Sequence, residues 1–393
     1  MKRYDKYKQS GVKWIGEIPE HWEVRRIKYL IREKISDGPH ESPEFIDFGV
    51  PFISVDGIQN GELVFEGCRY ISESDHAKFR RKTIVEKNDI LMGKAASIGK
   101  IARVKVNFDF NVWSPLAIIK PNERINNTYF EFYLKSTLSQ YQIETLSTSN
   151  TQKNISMDDI PKIIVTLPPQ NEQTFIAKYL EDKTEQIDKL IENKQKLIEL
   201  LKEERTAIIN EAVSGEGKNW ERKKLKWFFK LSRGFDLSSN NFKDGDISVY
   251  GSNGCIGYHN EATTKGPGIT VGRSGSVGEV NIIEKDFWAH NTCLFVYENF
   301  GNNWNYIFYF LKNFDLKSLS SGSVVGTLNR NYIHDEIIYF PSLQDQSQIV
   351  NHIQTETQRL DNTISKIEKE IELMKEYKTA LISEAVTGKI KVI

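Results

Sequence analysis

ELLKEERTAIINEAVSG (199–215) and ELMKEYKTALISEAVTG (372–388) decide how this chain is built. They lie 173 residues apart throughout and agree at 11 of 17 positions. Chance does not produce that, so the chain contains a duplication. Upstream, LPPQNEQTFIAKYL (167–180) lies over FPSLQDQSQIVNHI (340–353) at the same offset, matching Pro168 with Pro341, Gln173 with Gln346 and Ile176 with Ile349. Two more segments repeat at other offsets: WEVRRIKYL (22–30) with WERKKLKWF (220–228), and DILMGKAASIGKI (89–101) with GITVGRSGSVGEV (268–280). The offset shrinks along the repeat, so the second globular part is shorter. The order is globular, helix, globular, helix: 1–166, 167–216, 217–339 and 340–393.

Residues 171–213 lack Gly and Pro and are rich in Glu, Lys, Leu, Ile and Gln. Leu180, Ile187, Leu190, Leu197, Leu201 and Ile208, with Ile191 and Ile198 beside them, follow a 3.5-residue repeat broken by Lys194. The second copy places Ile353, Leu360, Ile367, Met374 and Leu381, flanked by Ile364 and Ile371. Each run stops at a glycine, Gly215 and Gly388. About 40 helical residues make a rod of roughly 60 Å. Eight acids and six bases in 181–205 make a mixed, solvated surface. The rods are therefore expected to pair with each other as an antiparallel coiled coil, with the two globular parts at opposite ends about a pseudo-two-fold axis. That symmetry suits duplex DNA, whose readers use spaced half-sites.

The globular parts read as α+β heads. Short apolar strands are expected at 50–55, 90–93, 115–119, 162–167, 247–251, 268–272 and 293–297, and amphipathic helices at 128–136 and 305–313. Lys+Arg and Asp+Glu both number 53. A neutral sum counts mildly against DNA binding, yet a patch matters more than a sum, and 220–233 holds six bases against one acid. Further basic residues, Arg25, Arg26 and Lys28, stand near the start of the first copy. Three cysteines, 68, 255 and 293, are far apart and form no disulfide framework. No apolar run reaches the roughly 18 residues of a membrane span, and the start lacks a signal peptide's apolar core. A soluble, cytoplasmic protein is expected.

Several loops offer groups suited to nucleic acid. GKAASIGK (93–100) and GRSGSVGE (272–279) put a cation, Lys94 or Arg273, straight after a strand-ending glycine. Small residues including Ser97 and Ser276 follow, where backbone can approach a phosphate. SDGPHESP (36–43), with Asp37 and His40, and YGSNGCIGYHN (250–260), with Ser252 and Asn253, are polar loops able to read base edges. STSNTQKN (147–154), with Thr151, Gln152 and Lys153, and SSGSVVGTLNRN (320–331), with Asn329 and Arg330, precede the helices in matching places. Arg233 completes the set. Each of these loops is equally an ordinary turn.

The machinery of catalysis is missing from the sequence. There is no Asn/Asp-Pro-Pro-aromatic motif, since LPPQ (167–170) lacks both flanks, and no GxxxxGK[ST] phosphate loop. No metal is expected, although Cys255, His259, His290 and Cys293 make a loose C-x3-H…H-x2-C pattern. No G-x-S-x-G nucleophile elbow stands on a strand-to-helix turn.

Two dissimilar heads alternating with two nearly identical helices, an opening GEIPEHWEVRRIKYL (16–30), helix entries PPQNEQ and PSLQDQ, and EAV[ST]G endings together resemble the specificity subunits of Type I restriction–modification systems. The resemblance covers nearly the whole chain and implies a non-catalytic protein. Each head would be a target recognition domain reading one half of a bipartite duplex DNA sequence. The helices would set the gap and help bind two methyltransferase subunits that methylate adenine with S-adenosylmethionine. Two restriction subunits using ATP and Mg2+ would join. Asp345 stands where the first copy has Glu172. The other readings left open are a coiled-coil scaffold with two ligand-binding heads and no DNA role, and a zinc or hydrolytic enzyme in the second head.

Overall fold

A computed structural model describes residues 2–149, 153–321 and 326–392. The chain forms two compact units, Met1–Asn193 with Glu370–Ile393, and Lys194–Lys369. Each unit contains one head and half of each long helix, so the units divide within the helices.

The heads share one topology. In the first, strands Ser36–Asp37, Ile90–Gly93, Ile101–Arg103 and Leu116–Ile119 form a four-stranded antiparallel sheet, with Ile90–Gly93 and Leu116–Ile119 at its centre. In the second, Lys230–Arg233, Gly268–Gly272, Val280–Ile283 and Cys293–Glu298 repeat that order. A three-stranded sheet accompanies each. Val50–Ile53 lies between Arg69–Ile71 and Asn111–Val112, and Ile247–Gly251 lies between Gly254–His259 and Phe287–Ala289. Register fixes the equivalences. Gly93 faces Leu116 as Gly272 faces Cys293, and Asp37 faces Ala117 as Arg233 faces Leu294. All four residues of Ile90–Gly93 and of Leu116–Ile119 are buried, which is why these strands read as unbroken apolar runs. The second head is shorter because a tight turn at Ser252–Asn253 joins the strand pair that residues 54–68 join in the first. Among its described residues there is also no counterpart of helices Glu73–Arg80 and Thr137–Leu146.

One amphipathic helix backs each head, Asn127–Lys135 and Trp304–Asn313. Asn126 and Asn303 cap them, each side chain accepting two backbone N–H groups. The repeated glutamines join these caps to the long helices. Buried Gln173 accepts from Asn126 N at 2.7 Å and donates to Pro168 O, and buried Gln346 accepts from Asn303 N at 2.9 Å and donates to Pro341 O. A buried amide that satisfies several partners at once is costly to replace, which gives the identity at these positions its physical reason.

The long helices run Gln170–Ser214 and Leu343–Val386. Within each unit their segments are antiparallel. In the first unit Thr166, just before the first helix, donates its hydroxyl to Val386 O at the end of the second, and Lys378 Nζ meets Asp188 at 2.6 Å. In the second unit Ile209, Ala212 and Val213 share a core with Ile349, Val350 and Ile353, and Arg205 Nε lies 3.3 Å from Asp361. Positions 188 and 361, and 205 and 378, are both 173 apart, so one ion pair is made twice.

The seam departs from the expected set. Leu180, Ile187, Ile353, Leu360, Ile367 and Leu381 are buried, but Leu190 is 50% and Leu197 43% exposed. Along the middle of the helices, 180–205 and 353–378, the buried positions are Leu180, Thr184, Ile187, Ile191 and Ile198 in the first, and Ile353, Thr357, Leu360, Ile367 and Ile371 in the second. These follow alternating steps of four and three. Leu190 and Leu197 each stand one residue before a seam position and point off the stripe. Leu201, Ile208 and Met374 are partly buried. Gly215 and Gly388 end the helices at φ +69° and +71°, a conformation that strains other residues. An added Cβ would meet Trp220 at 2.6 Å at Gly215, and Pro19 at 2.4 Å at Gly388.

Candidate nucleic-acid interface

The loops singled out in sequence meet at one place in each head. In the first, the turn 93–100 closes on itself: Gly93 donates to Lys100 O at 2.8 Å and Gly99 to Gly93 O at 2.9 Å. The second head repeats this with Gly272 to Glu279 O and Gly278 to Gly272 O. A Cβ would fall 2.3 Å from Ser97 O at Gly93, and 2.0 Å from Ser276 O at Gly272. The close approach that glycine permits here is therefore of the turn to itself. Lys94 N and Arg273 N are also spent, on Pro115 O and Thr292 O.

Hairpins dock on these turns. Thr148–Ser149 pairs with Lys153–Asn154, whose Asn154 bridges to Ala95, and Ile155 N donates to Lys94 O at 2.9 Å. Ser320–Ser321 pairs with Thr327–Leu328, whose Thr327 bridges to Ser274, and Leu328 N donates to Arg273 O at 2.9 Å. Thr151 and Gln152 lie outside the described residues. Lys153 is exposed and ion-paired with Glu144.

Asp37, His40 and Lys94 come together. The buried Asp37 carboxylate accepts from Lys82 Nζ at 2.6 Å and lies 3.0 Å from Lys94 Nζ and 3.2 Å from His40 Nε2. Lys94 is only 12% exposed, and its ammonium is held by Asp37. It is internally neutralised, as burying an ammonium requires. Burial alone would raise the Asp37 pKa, but hydrogen bonds from Lys82 and Lys94 outweigh it and hold the carboxyl below its ordinary value. No sequence signal pointed to Lys82, which reaches Asp37 from 45 residues away.

In the second head Arg233 occupies the position of Asp37. It is exposed and meets Asp236 at 3.2 Å, and Asp236 also accepts from Asn291. Arg273 reaches Asn291 O at 3.5 Å, and Ser252 N donates to Thr292 Oγ1. Arg233, Ser252 and Arg273 thus gather around Asn291–Thr292, with Ser276 against Gly272 in the adjoining turn and Asn253 exposed at the neighbouring one. Asn329 has a structural role: its Oδ1 caps the short helix Arg330–Asp335 by accepting from Asn331 N at 3.0 Å. Arg330 is exposed and touches the Ser232 hydroxyl.

The cysteine–histidine pattern in the second head is otherwise engaged. His259 Nδ1 accepts from Lys243 N, and His290 contacts Thr292 Oγ1 and Leu237 O. Cys293 is buried, and burial pushes its thiol up to about 12. Among the described residues no group of three or more His, Cys, Asp or Glu could hold a metal ion. Among them, too, no helix is long and apolar enough to cross a membrane.

A family model described as the Type I restriction modification DNA specificity domain matches residues 19–202 and 217–373, once per copy. The chain belongs to this family. A relative, the putative type I restriction enzyme MjaX specificity subunit of Methanocaldococcus jannaschii, is 25% identical over 98% of both chains. The EcoKI specificity subunit of Escherichia coli is 25% identical over 51% of this chain and 44% of its own. Two solved structures share the fold. One, from work on complex assembly and conformational transition of the type I R-M system, has a TM-score of 0.74 at 12% identity, covering 95% of this chain and 99% of that one. The other, the HsdS subunit of Thermoanaerobacter tengcongensis, has a TM-score of 0.64 at 13% identity, covering 97% and 100%. As a member of the family the chain is a specificity subunit, a non-catalytic component of a Type I restriction enzyme. A scaffold with no DNA role finds no support among these relatives.

Proposed function

We propose that the chain reads a bipartite duplex DNA sequence, one half with each head, and carries methyltransferase and restriction subunits to it. The four stretches 1–166, 167–216, 217–339 and 340–393 act as first reader, spacer, second reader and spacer. The observation that carries this reading is the repeated ion pair, Asp188 with Lys378 and Arg205 with Asp361. One scaffold is built twice while the loops mounted on it differ. Asp37, His40, Lys94 and Ser97 with Thr151, Gln152 and Lys153 serve the first reader. Arg233, Ser252, Asn253, Arg273, Ser276, Asn329 and Arg330 serve the second. Several of these shape the loops and do not touch bases. Two copies each of methyltransferase and restriction subunit match the two copies of the scaffold. S-adenosylmethionine, ATP and Mg2+ belong to those partners, and the complex works on DNA in the cytoplasm.

The test is the genome-wide adenine methylation pattern of the host with and without the gene. One bipartite motif is expected to lose methylation on deletion. If no motif changes although a methyltransferase co-purifies with the chain, the reading is wrong. A seven-residue insertion in one long helix should then widen the gap between half-sites and leave both halves intact.

A further inference from the structure

In the second head, the side of strand Lys230–Arg233 and the short helix Arg330–Asp335 enclose an open cleft of about 510 Å³. Leu231 and Phe295 floor it, and Lys226, Lys230, Arg330 and Tyr297 stand around it. Among the described residues no aspartate or glutamate lines it. Glu298 stands opposite Lys230 in the ladder, but among the described residues none of the three cations makes an ion pair. Lys230 Nζ lies 5.2 Å from the Phe300 ring, Lys226 Nζ 5.7 Å from the Trp227 ring, and Arg330 touches the Ser232 hydroxyl at 3.3 Å. The adjacent acid, Asp335, is bonded to Lys224 at 2.7 Å. His334, also in the lining, accepts from Leu231 N at 2.9 Å. Burial and then the nearby Arg330 hold its pKa below the ordinary histidine value, with Lys226 and Lys230 acting the same way against Asp335.

Three cations converging on one apolar-floored cleft, in a chain of zero net charge, concentrate positive potential where the rest of the surface is mixed. We infer that this cleft seats backbone phosphates of the DNA duplex and anchors the second head independently of sequence. The inference rests on the DNA reading above. Long cationic side chains around an open cleft fit phosphate neutralisation, which positions a reader without reading bases.

Among the described residues the first head has no complete equivalent of this seat. Register puts Lys120 at the position of Tyr297, and Lys120 is buried against Asp89 and Glu86 at 2.8 Å each. Ile155 matches Leu328 through their bonds to Lys94 O and Arg273 O, so Met157 stands where Arg330 does. Lys28 keeps the place of Lys226, 4.7 Å from the Tyr29 ring, but at the other two positions the first head offers only a neutralised lysine and a methionine.

The experiment measures binding of the assembled complex to duplexes with and without its motif, across a salt series. The variants are Lys226→Gln, Lys230→Gln, Arg330→Gln and the charge-conserving Arg330→Lys. Each glutamine variant should lower the slope of log affinity against log salt by about one. It should weaken both duplexes by the same factor, while Arg330→Lys stays near the parent and the methylated motif is unchanged. Parental slopes in all three glutamine variants would overturn the seat while leaving the DNA reading intact. A change of motif would overturn it in favour of base reading. A parental complex without sequence-selective duplex binding overturns the DNA reading and the seat with it.

Discussion

The two heads solve the same packing problem with opposite chemistry. Where strand Ile101–Arg103 meets helix Asn127–Lys135, the first head buries an ion network. Glu131, 3% exposed, bonds Arg103 at 2.9 Å and Lys135 at 2.6 Å. At the matching positions the second head has Ile282 and Phe308, both packed on its main core. The entries to the long helices differ likewise. Glu172 accepts from Trp22 Nε1 at 3.0 Å and pairs with His21 at 2.6 Å, while Asp345 turns back to bond Ser342. The backbone plan survives both exchanges. Topology here is held by register, caps and the apolar strands, and the side chains between them are free to diverge as long as each buried polar group finds a partner.

That comparison can be broken most sharply at the ion network. Glu131→Ala removes the buried carboxylate shared by Arg103 and Lys135, leaving Arg103 its bonds to Asn88 and Glu181, and should cost about 3 kcal/mol, read by denaturant unfolding of the full chain. Installing the second head's residues together, Arg103→Ile with Glu131→Phe, should return stability to within about 1 kcal/mol of the parent. A double variant as unstable as Glu131→Ala would mean that the heads are not interchangeable there. Next in size are the shared glutamines. Gln173→Leu and Gln346→Leu should each lose about 2 kcal/mol, and a large difference between them would show that the latch matters in one head only.

A smaller effect separates the heads by pH. The folded-state pKa of Asp37 is depressed, so its contribution is present above the unfolded aspartate value. It is lost as pH falls through the lower folded value. Asp37→Asn should flatten the acid limb of first-head stability, followed by thermal unfolding at stepped pH. Arg233→Gln, at the equivalent place, should leave that limb unchanged. The smallest effect belongs to the repeated surface ion pair. Asp188→Lys or Lys378→Asp should each cost under about 1 kcal/mol, and the charge-swapped double variant should recover most of it. Recovery at 188 and 378 without recovery for the matching swap at 205 and 361 would show that the two copies of the scaffold have diverged.

The duplication, both long helices, their glycine ends and the main apolar strands were legible because each is written locally, in periodicity, composition and chain punctuation. The strands expected at 90–93, 247–251 and 268–272 stand at those residues. The candidate loops were also visible, and they do converge. What each side chain in them does was not. That Asp37 holds the Lys94 cation and that Asn329 caps a helix are contacts that spacing does not show, and Leu190 and Leu197 looked like seam residues until the stripe was seen to pass beside them. The basic cleft of the second head was only half visible, as a run of bases in 220–233, because Arg330 and Tyr297 come to it from distant stretches of chain.

The sequence by itself determined that one unit was copied, that rods separate the copies and that the heads differ, since local pattern and internal identity carry that information without any contact being known. Only the tertiary structure decided which charges cancel, which face of each rod is buried and where positive charge is left over. Those outcomes depend on distances between residues far apart in the chain, such as Asp37 and Lys82 or Thr166 and Val386, and distance across a fold is not a property of spacing along a chain.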